Sequence, residues 1–196
     1  MINQTLFLHG GNEFHADSAE FDQYFVSEIA GARVGIFPGA SESTRDQIAT
    51  VAFASGYFAL YGIELTEVMP SEFATIDALI LPGGSPHKLL AQLTPFRAEL
   101  TELYERGVIY GASAGAMVLG QGYSLGGKWH AALGLGQFQA LVHFNGNLPA
   151  HPSHRLGPAE SAPIIYGLPE GGGLAVAKSG AILTKSSGVQ IGHNEG

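Results

Sequence analysis

The composition of this chain limits both its fold and its chemistry. Of its 196 residues, 45% are hydrophobic and 28 are glycines, which is typical of one α/β domain with a buried core and many tight turns. We therefore expect residues 1–196 to form a single domain. The net charge of −8 argues against nucleic acid or an anionic membrane surface as the main partner and favours a small molecule or a peptide.

Cysteine is absent, which excludes disulfides, zinc–thiolate sites and thiol catalysis. A covalent catalyst would have to use an oxygen or nitrogen nucleophile. Residues 1–17 lack the basic and apolar regions of a secretory signal, and no uninterrupted apolar run reaches the roughly 18 residues of a membrane span. We therefore expect a cytoplasmic protein.

Short apolar runs that stop at glycine or proline alternate with segments of helical periodicity over the first two thirds of the chain. This alternation predicts a mostly parallel sheet with helices on both faces. Beyond residue 133 the pattern predicts strands with few helices, and residues 192–196 should form a frayed end. The predicted strands are 5–9, 33–37, 64–68, 78–81, 108–110, 139–144, 173–177 and 181–183, and the predicted helices are 18–29, 43–61 and 95–106.

Two of the predicted helices allow more detailed expectations. In the helix 18–29, apolar residues recur every four positions on one face, and Asp17 or Ser18 is available as the N-cap. The helix 43–61 should likewise bury one apolar face. The residues expected on these faces are Phe21, Phe25 and Ile29 in the first helix and Ile48, Val51, Ala52, Phe58 and Leu60 in the second.

Ligands of open parallel sheets bind beyond the carboxyl ends of the strands, where the connecting loops meet. The functional residues should therefore lie in loops that follow strands. Gly or Pro clusters occur in four such loops, at 9–11, 38–41, 82–85 and 111–115.

The last of these loops, GASAG at 111–115, matches the Gly-x-Ser-x-Gly nucleophile elbow, in which a serine occupies a strained turn between a strand and a helix. A predicted strand precedes it and an apolar segment follows it. We therefore interpret Ser113 as a nucleophile, with the backbone N–H of Ala114 as one oxyanion donor.

The Pro-Gly-Gly-Ser turn at 82–85 is the natural source of a second oxyanion donor, because glycine backbone can face a substrate directly. An ordinary glycine turn, with Ser85 capping a short helix, is the alternative interpretation.

A serine hydroxyl needs an imidazole to accept its proton, and a carboxylate usually orients that imidazole. Among the eight histidines, His143 stands apart because it follows the apolar run 139–142 and occupies a predicted strand end. A strand end can hold the ring toward the crevice beyond the sheet.

Chain order leaves two triads open. The order serine, acid, histidine of α/β-hydrolases would require Ser113, Glu160 or Glu170, and His193, since no Asp or Glu lies between Ser113 and His154. The order serine, histidine, acid is available as Ser113, His143 and Glu170.

Five blocks between about residues 34 and 176 resemble the serine peptidase family that contains aspartyl dipeptidase (dipeptidase E) and cyanophycinase. Only the elbow is specific by itself. The resemblance implies the flavodoxin-like α/β fold of class I glutamine amidotransferases. The blocks are 37–41 (FPGAS), 77–90 (DALILPGGSPHKLL), 111–116 (GASAGA), 133–136 leading to 143–144, and 167–171 (GLPEG).

Carried over by position, the resemblance implies that Ser113 is the nucleophile, His143 the base and Glu170 the acid. It also implies that the backbone N–H groups of Gly84 and Ala114 form the oxyanion hole.

The chain departs from the family at two places. Family members commonly have Asn where this sequence has Ser85, and an Arg-rich stretch where residues 151–156 contain only one arginine, Arg155. Arg155 is therefore the candidate for contacting an acidic substrate side chain.

The sequence and the resemblance together predict a serine peptidase that hydrolyses small peptides, such as dipeptides with an acidic N-terminal residue, through an acyl-enzyme. No metal or organic cofactor is expected. Whether the chain forms a homo-oligomer stays open. The alternatives are a non-catalytic small-molecule-binding protein on the amidotransferase-like scaffold and a serine esterase.

Overall fold

The computed structural model describes residues 4–146, 148 and 164–193, and its secondary structure follows the predicted alternation closely. In chain order the strands are β1 (Thr5–His9), β2 (Val34–Ile36), β3 (Leu65–Glu67), β4 (Ala78–Leu81), β5 (Val108–Ala112), β6 (Gly122–Leu125), β7 (Lys128–Ala131), β8 (Phe138–Leu141), β9 (Ile164–Gly167), β10 (Gly173–Ala177), β11 (Ile182–Lys185) and β12 (Gln190–His193).

Within the described residues, five α-helices connect the strands, and short 3₁₀ turns precede α1, link β3 to β4 and link α3 to α4. The helices are α1 (Ala19–Glu28), α2 (Thr44–Ala59), α3 (Pro86–Leu93), α4 (Arg97–Arg106) and α5 (Ala114–Leu119), and the 3₁₀ turns are Ala16–Ser18, Pro70–Thr75 and Thr94–Phe96.

The central sheet has seven strands in the order β11-β10-β1-β5-β4-β2-β3. The five strands from β1 to β3 in this order run parallel, whereas β10 pairs antiparallel with β1 and β11 antiparallel with β10. The prediction of a mostly parallel sheet with helices on both faces is confirmed.

Two apolar cores cover the two faces of this sheet. On one face, aromatic side chains such as Phe25 of α1 and Phe58 of α2 pack against β1 and β5, where they meet Tyr110 of β5. On the other face, α3, α4 and α5 pack against the sheet through residues such as Leu103 and Leu119. Burial on both sides explains why strands such as β1 and β5 are continuously apolar rather than alternating.

The last third of the chain adds a smaller sheet of order β12-β9-β8 and the hairpin β6–β7. Phe138 and Tyr166 of the smaller sheet belong to the same apolar core as α5, so this sheet lies against one face of the central sheet. The predicted frayed end is wrong for residues 192 and 193, which pair with β9 as part of β12. Residues 194–196 lie outside the described part.

The predicted buried face of α2 is only partly correct. Phe58 is buried together with Ala54, but Ile48 is 65% exposed and Leu60 is 81% exposed. Two residues along a helix differ by about 200° in direction, so Leu60 points away from the side that Phe58 buries. The buried face of α2 is therefore narrower than its apolar residues predict.

The predicted N-cap position of α1 is confirmed, but the capping hydrogen bond is absent. Ser18 stands at the N-cap but makes no side-chain capping hydrogen bond. Its hydroxyl instead donates to the His15 carbonyl oxygen at 2.9 Å, because the 3₁₀ turn before α1 already positions that carbonyl.

The strand directions bring specific loops together at one edge of the sheet. The carboxyl ends of β1, β4 and β5 meet there, and the antiparallel β10 starts at the same edge, since Gly173 pairs with His9. Within the described ranges, no helix combines the length and the apolar character that crossing a bilayer requires.

Candidate active site

Ser113 occupies a strained turn between β5 and α5. Its backbone has φ 47° and ψ −108°, a region that non-glycine residues rarely adopt, so the surrounding contacts must stabilise it. The Ser113 N–H donates to the His9 carbonyl oxygen at 2.9 Å. A Cβ at Gly115 would lie 2.1 Å from the Leu81 carbonyl oxygen. This close approach explains why the turn needs small residues, as the elbow motif predicts.

The structure brings together the three side chains of the predicted triad Ser113, His143 and Glu170. Ser113 Oγ lies 3.1 Å from His143 Nε2, and His143 Nδ1 lies 2.9 Å from Glu170 Oε1. An ionised carboxylate can only accept hydrogen bonds, so the tautomer that fits this contact has its proton on Nδ1 and donates it to Glu170. The neutral ring then has its lone pair on Nε2, directed at the Ser113 hydroxyl, which is the arrangement that activates a serine.

The sequence predicts His143 at the end of a strand, but in the structure it lies two residues beyond the end of β8. Its backbone is left-handed, with φ 51°, and its N–H donates to the Gly10 carbonyl oxygen at 2.8 Å. The ring lies directly against Gly11, where a Cβ would come within 2.3 Å of His143 Cε1. A loop with fixed backbone contacts, rather than a strand, therefore sets the ring position.

Glu170 lies in the turn between β9 and β10, as predicted. Two backbone hydrogen bonds, both 2.9 Å long, join this turn to residues 9–11: Gly171 N–H to the Gly11 carbonyl oxygen, and Gly10 N–H to the Gly172 carbonyl oxygen. Together with the bonds to the serine and histidine segments, the 9–11 turn contacts the backbone beside all three side chains.

His9 itself is a residue whose part in the site the sequence analysis missed. Its ring is fully buried, and Nδ1 accepts a hydrogen bond from the Gly11 N–H at 3.2 Å. Burial, and secondarily the nearby His143, lower the pKa of His9 to about 4. The ring is therefore neutral at physiological pH and acts as an acceptor that secures the 9–11 turn. A histidine ending a buried strand was the available signal.

A buried carboxylate, Asp22, is connected to the 9–11 turn through Tyr110. Asp22 is fully buried and accepts hydrogen bonds from the hydroxyls of Tyr110 and Tyr57, both at 2.8 Å. Desolvation raises the pKa of Asp22 above its ordinary value. Tyr110 also stacks on His9, with ring centroids 6.0 Å apart, so the network packs directly beneath the 9–11 turn.

The two predicted oxyanion donors lie at the start of α5 and in the turn that precedes α3. Ala114 is the first residue of α5, where a helix has no internal acceptor for the N–H. The Gly84 N–H makes no hydrogen bond to any of the residues that the structure describes. Since α5 has only six residues, the backbone N–H groups rather than a long helix dipole are what this turn offers to an anion.

The Pro-Gly-Gly-Ser turn at 82–85 also caps a helix, which was its alternative interpretation from the sequence. Ser85 is the N-cap of α3 and accepts from the Lys88 N–H at 3.5 Å. Gly84 has φ 136°, and a Cβ there would lie 2.4 Å from the Ala40 carbonyl oxygen. Gly84 is thus required by packing against the 38–41 loop, whereas Gly83 is the glycine next to Ser113.

Glu13 is a second residue that the sequence analysis missed. Its Oε1 accepts a hydrogen bond from the Gly83 N–H at 2.8 Å. A Cβ placed on Gly83 would lie 2.9 Å from Glu13 Oε1 and 3.2 Å from Ser113 Cβ, so the carboxylate and the serine flank the same glycine. The signal was an acidic residue in the first loop after a strand that ends at the site.

The triad that follows the α/β-hydrolase order is not supported. Residue 193 pairs with residue 164 at the start of β9, whereas Gly167, at the other end of β9, pairs with Leu141 two residues before His143. The strand thus places residue 193 at the far end from the site. Arg155, Glu160, His151 and His154 lie outside the described residues, and the predicted role of Arg155 stays a prediction.

Comparisons with known proteins agree with this architecture. No protein-family model and no curated protein matches the sequence. A solved peptidase from an acI-B1 Actinobacterium superposes with a TM-score of 0.72 at 20% identity, covering 97% of this chain and 88% of that chain. The chain has the fold of this peptidase. The Putative Peptidase E Protein from Listeria monocytogenes EGD-e gives a TM-score of 0.63 at 19% identity, covering 96% and 98%.

At these identities the similarity establishes the fold, and the flavodoxin-like, amidotransferase-like class predicted from the sequence is confirmed. What the site does has to be argued from its own geometry.

Proposed function

We propose that the protein is a serine peptidase that hydrolyses small peptides. The observation that carries this proposal is the continuous chain from Ser113 Oγ to His143 Nε2 and from His143 Nδ1 to Glu170, built on a strained elbow. Both distances are short enough for a hydrogen bond, which is the geometric requirement for activating a serine. The named structural neighbours are peptidases or carry that name, which fits amide hydrolysis.

In the proposed reaction, His143 Nε2 takes the hydroxyl proton while Ser113 Oγ forms a bond to the peptide carbonyl carbon. The negative charge on the former carbonyl oxygen is stabilised by the N–H groups of Gly84 and Ala114, at about 3 kcal/mol each. When the C–N bond breaks, the leaving amine receives the proton from His143. A water then attacks the ester carbonyl carbon and gives a proton to His143. As the bond between that carbon and Ser113 Oγ breaks, His143 returns the proton to Oγ, so the carboxylic acid and the free Ser113 hydroxyl result.

Glu170 keeps the imidazole in the reactive tautomer and stabilises its charged form. The pair is well exposed, with the His143 and Glu170 side chains 50% and 63% accessible, so substrate and solvent can reach it. An acidic N-terminal residue is the substrate preference we propose by resemblance, with Arg155 as the cation that would contact it.

A fluorophosphonate probe tests the proposal. The wild type should be labelled at Ser113, and Ser113→Ala should not be labelled. A panel of dipeptides and simple esters, followed by chromatography of the products, then separates a peptidase from an esterase. Labelling at another residue would refute Ser113 as the nucleophile. An inert Ser113 in a protein whose melting temperature rises with a small metabolite would instead favour a binding protein.

A further inference from the structure

Glu13 places a carboxylate beside the nucleophile, because a Cβ built on Gly83 would meet both Glu13 Oε1 and Ser113 Cβ. One carboxylate oxygen, Oε1, accepts the Gly83 N–H at 2.8 Å. That Cβ would lie 2.9 Å from Glu13 Oε1 and 3.2 Å from Ser113 Cβ, so the carboxylate and the serine side chain face the same small space. Glu13 is therefore close enough to contact a group attached near the carbonyl carbon that Ser113 attacks.

The loop that carries Glu13 is held in an unusual conformation. The residues on either side of it, Asn12 and Phe14, both have left-handed backbone, with φ 56° and 63°, a conformation that is strained for residues with a side chain. Phe14 is 3% exposed and packs against Phe58 and Tyr110, with ring centroids 5.5 and 6.2 Å away. The buried phenylalanine offsets the strain and fixes the direction of Glu13.

The charge of Glu13 is not balanced within the described part of the chain. None of the ion pairs there involves Glu13, and its second oxygen, Oε2, makes no hydrogen bond to a described residue. A half-buried carboxylate has lone pairs for several donors, so its free oxygen is suited to a cationic donor from the substrate.

We propose that Glu13 binds the α-ammonium group of the residue whose carbonyl Ser113 attacks. In a peptide, the substituent on the carbon next to the reacting carbonyl is an ammonium only when that residue is the first one. The substrates would therefore be peptides with a free amino terminus, from which a single residue is released. This inference rests on the proposed peptidase function and adds the residue that selects the amino end.

Kinetics of Glu13→Gln test the assignment. Glutamine keeps an Oε1 acceptor for Gly83 N–H but loses the charge, so the loop should be preserved, which a thermal melt can check. The substrates are alanyl and aspartyl p-nitroanilides and their N-acetyl forms. We expect kcat/KM for the free-amine substrate to fall at least about 10-fold, while kcat/KM for the acetylated form stays unchanged or rises. Glu20→Gln, at an exposed glutamate of α1, should change neither.

An equal loss for both substrate forms would show that Glu13 only supports the Gly83 turn and would overturn the proposal, as would no loss for either. A binding experiment separates this result from a failure of the peptidase function. Calorimetry with Ser113→Ala should detect Asp-Ala or Ala-Ala binding that is at least about 10-fold tighter than binding of the N-acetyl peptide, and Glu13→Gln in that background should remove the difference. Equal affinity for the two forms, or no binding of the free dipeptides, would refute the role of Glu13 whether or not Ser113 is reactive.

Discussion

The nucleophile and its two partners are held in different ways. Ser113 follows directly from β5, the middle strand of the seven-stranded sheet, and its position is set by tight backbone contacts in the core. His143 and Glu170 lie on exposed loops that are tied by backbone hydrogen bonds to the 9–11 turn. The comparison indicates that packing positions the serine, whereas a few hydrogen bonds and one glycine position the base and the acid.

The largest expected loss of activity comes from replacing the proposed base and the proposed acid. His143→Ala should reduce hydrolysis by at least about 10⁴-fold, because the serine then has no proton acceptor, and Glu170→Gln by about 10²- to 10⁴-fold, because the tautomer is no longer fixed. Steady-state kinetics on the best dipeptide measures both.

His15→Ala is the matched control, since His15 is an exposed histidine in the loop before α1. It should retain activity within about two-fold of the wild type. If His143→Ala kept wild-type activity, loop-held side chains would have no part in the chemistry and the comparison would fail.

The packed side of the comparison is tested by Gly115→Ala. The added methyl would meet the Leu81 carbonyl oxygen at 2.1 Å, and backbone cannot move aside cheaply, so the free energy of unfolding should fall by about 3 kcal/mol. Urea denaturation measures the change.

Gly56→Ala provides the contrast within α2, where a Cβ would meet nothing within 4 Å. Alanine there should raise the free energy of unfolding by about 0.5–1 kcal/mol through its better helix propensity. Equal responses at positions 56 and 115 would contradict the idea that packing holds the elbow.

The buried His9 should make stability depend on pH. In the folded protein its pKa is about 4, against an ordinary value of 6.5, so the unfolded chain binds more protons between these values. The unfolding free energy should therefore be highest above pH 6.5 and fall as the pH drops to 4, by on the order of 3 kcal/mol. Urea denaturation across this range should show a shallower decline for His9→Gln, which lacks the titrating ring.

The exposed His15 offers a comparison here as well, because His15→Gln should keep the wild-type pH dependence. A decline in His9→Gln as steep as that of the wild type would mean that other groups cause it.

Gly11→Ala tests the loop side of the comparison. The new methyl would push the His143 ring, whose Cε1 would be 2.3 Å away, and a displacement of about 1 Å can cost about 10²-fold in rate. Gly31→Ala has a similar backbone penalty, with φ 78°, but no neighbour within 4 Å. It should lose about 1 kcal/mol of stability and keep its activity, whereas full activity in Gly11→Ala would show that the ring is placed by other contacts.

The sequence was sufficient for the parts of the site that are encoded locally. The elbow is a short motif whose small residues are required by one strand-to-helix crossing, so Ser113 could be placed from the chain alone. His143 and Glu170 were selected by chain order and resemblance, and the structure brings them within hydrogen-bond distance of each other, while their catalytic roles stay predictions.

The missed residues depend on contacts between distant segments. Glu13 contacts Gly83 from a loop in which Asn12 and Phe14 both adopt left-handed backbone. Asparagine tolerates this conformation, but no residue preference predicts it for phenylalanine. His9 belongs to a strand predicted correctly, but its neutral, accepting state follows from burial that only the packed fold reveals. The exposed Ile48 and Leu60 of α2 show the same limit for helix faces.

The antiparallel direction of β10 has a consequence for how this site can be supplied with residues. A purely parallel sheet offers to its functional edge only what comes after each strand. Here β10 begins at that edge, so a residue that precedes a strand also arrives there, and Glu170 does so only three positions ahead of it. Reversing a single peripheral strand thus opens a second route by which new side chains could be recruited to the same pocket without disturbing the elbow.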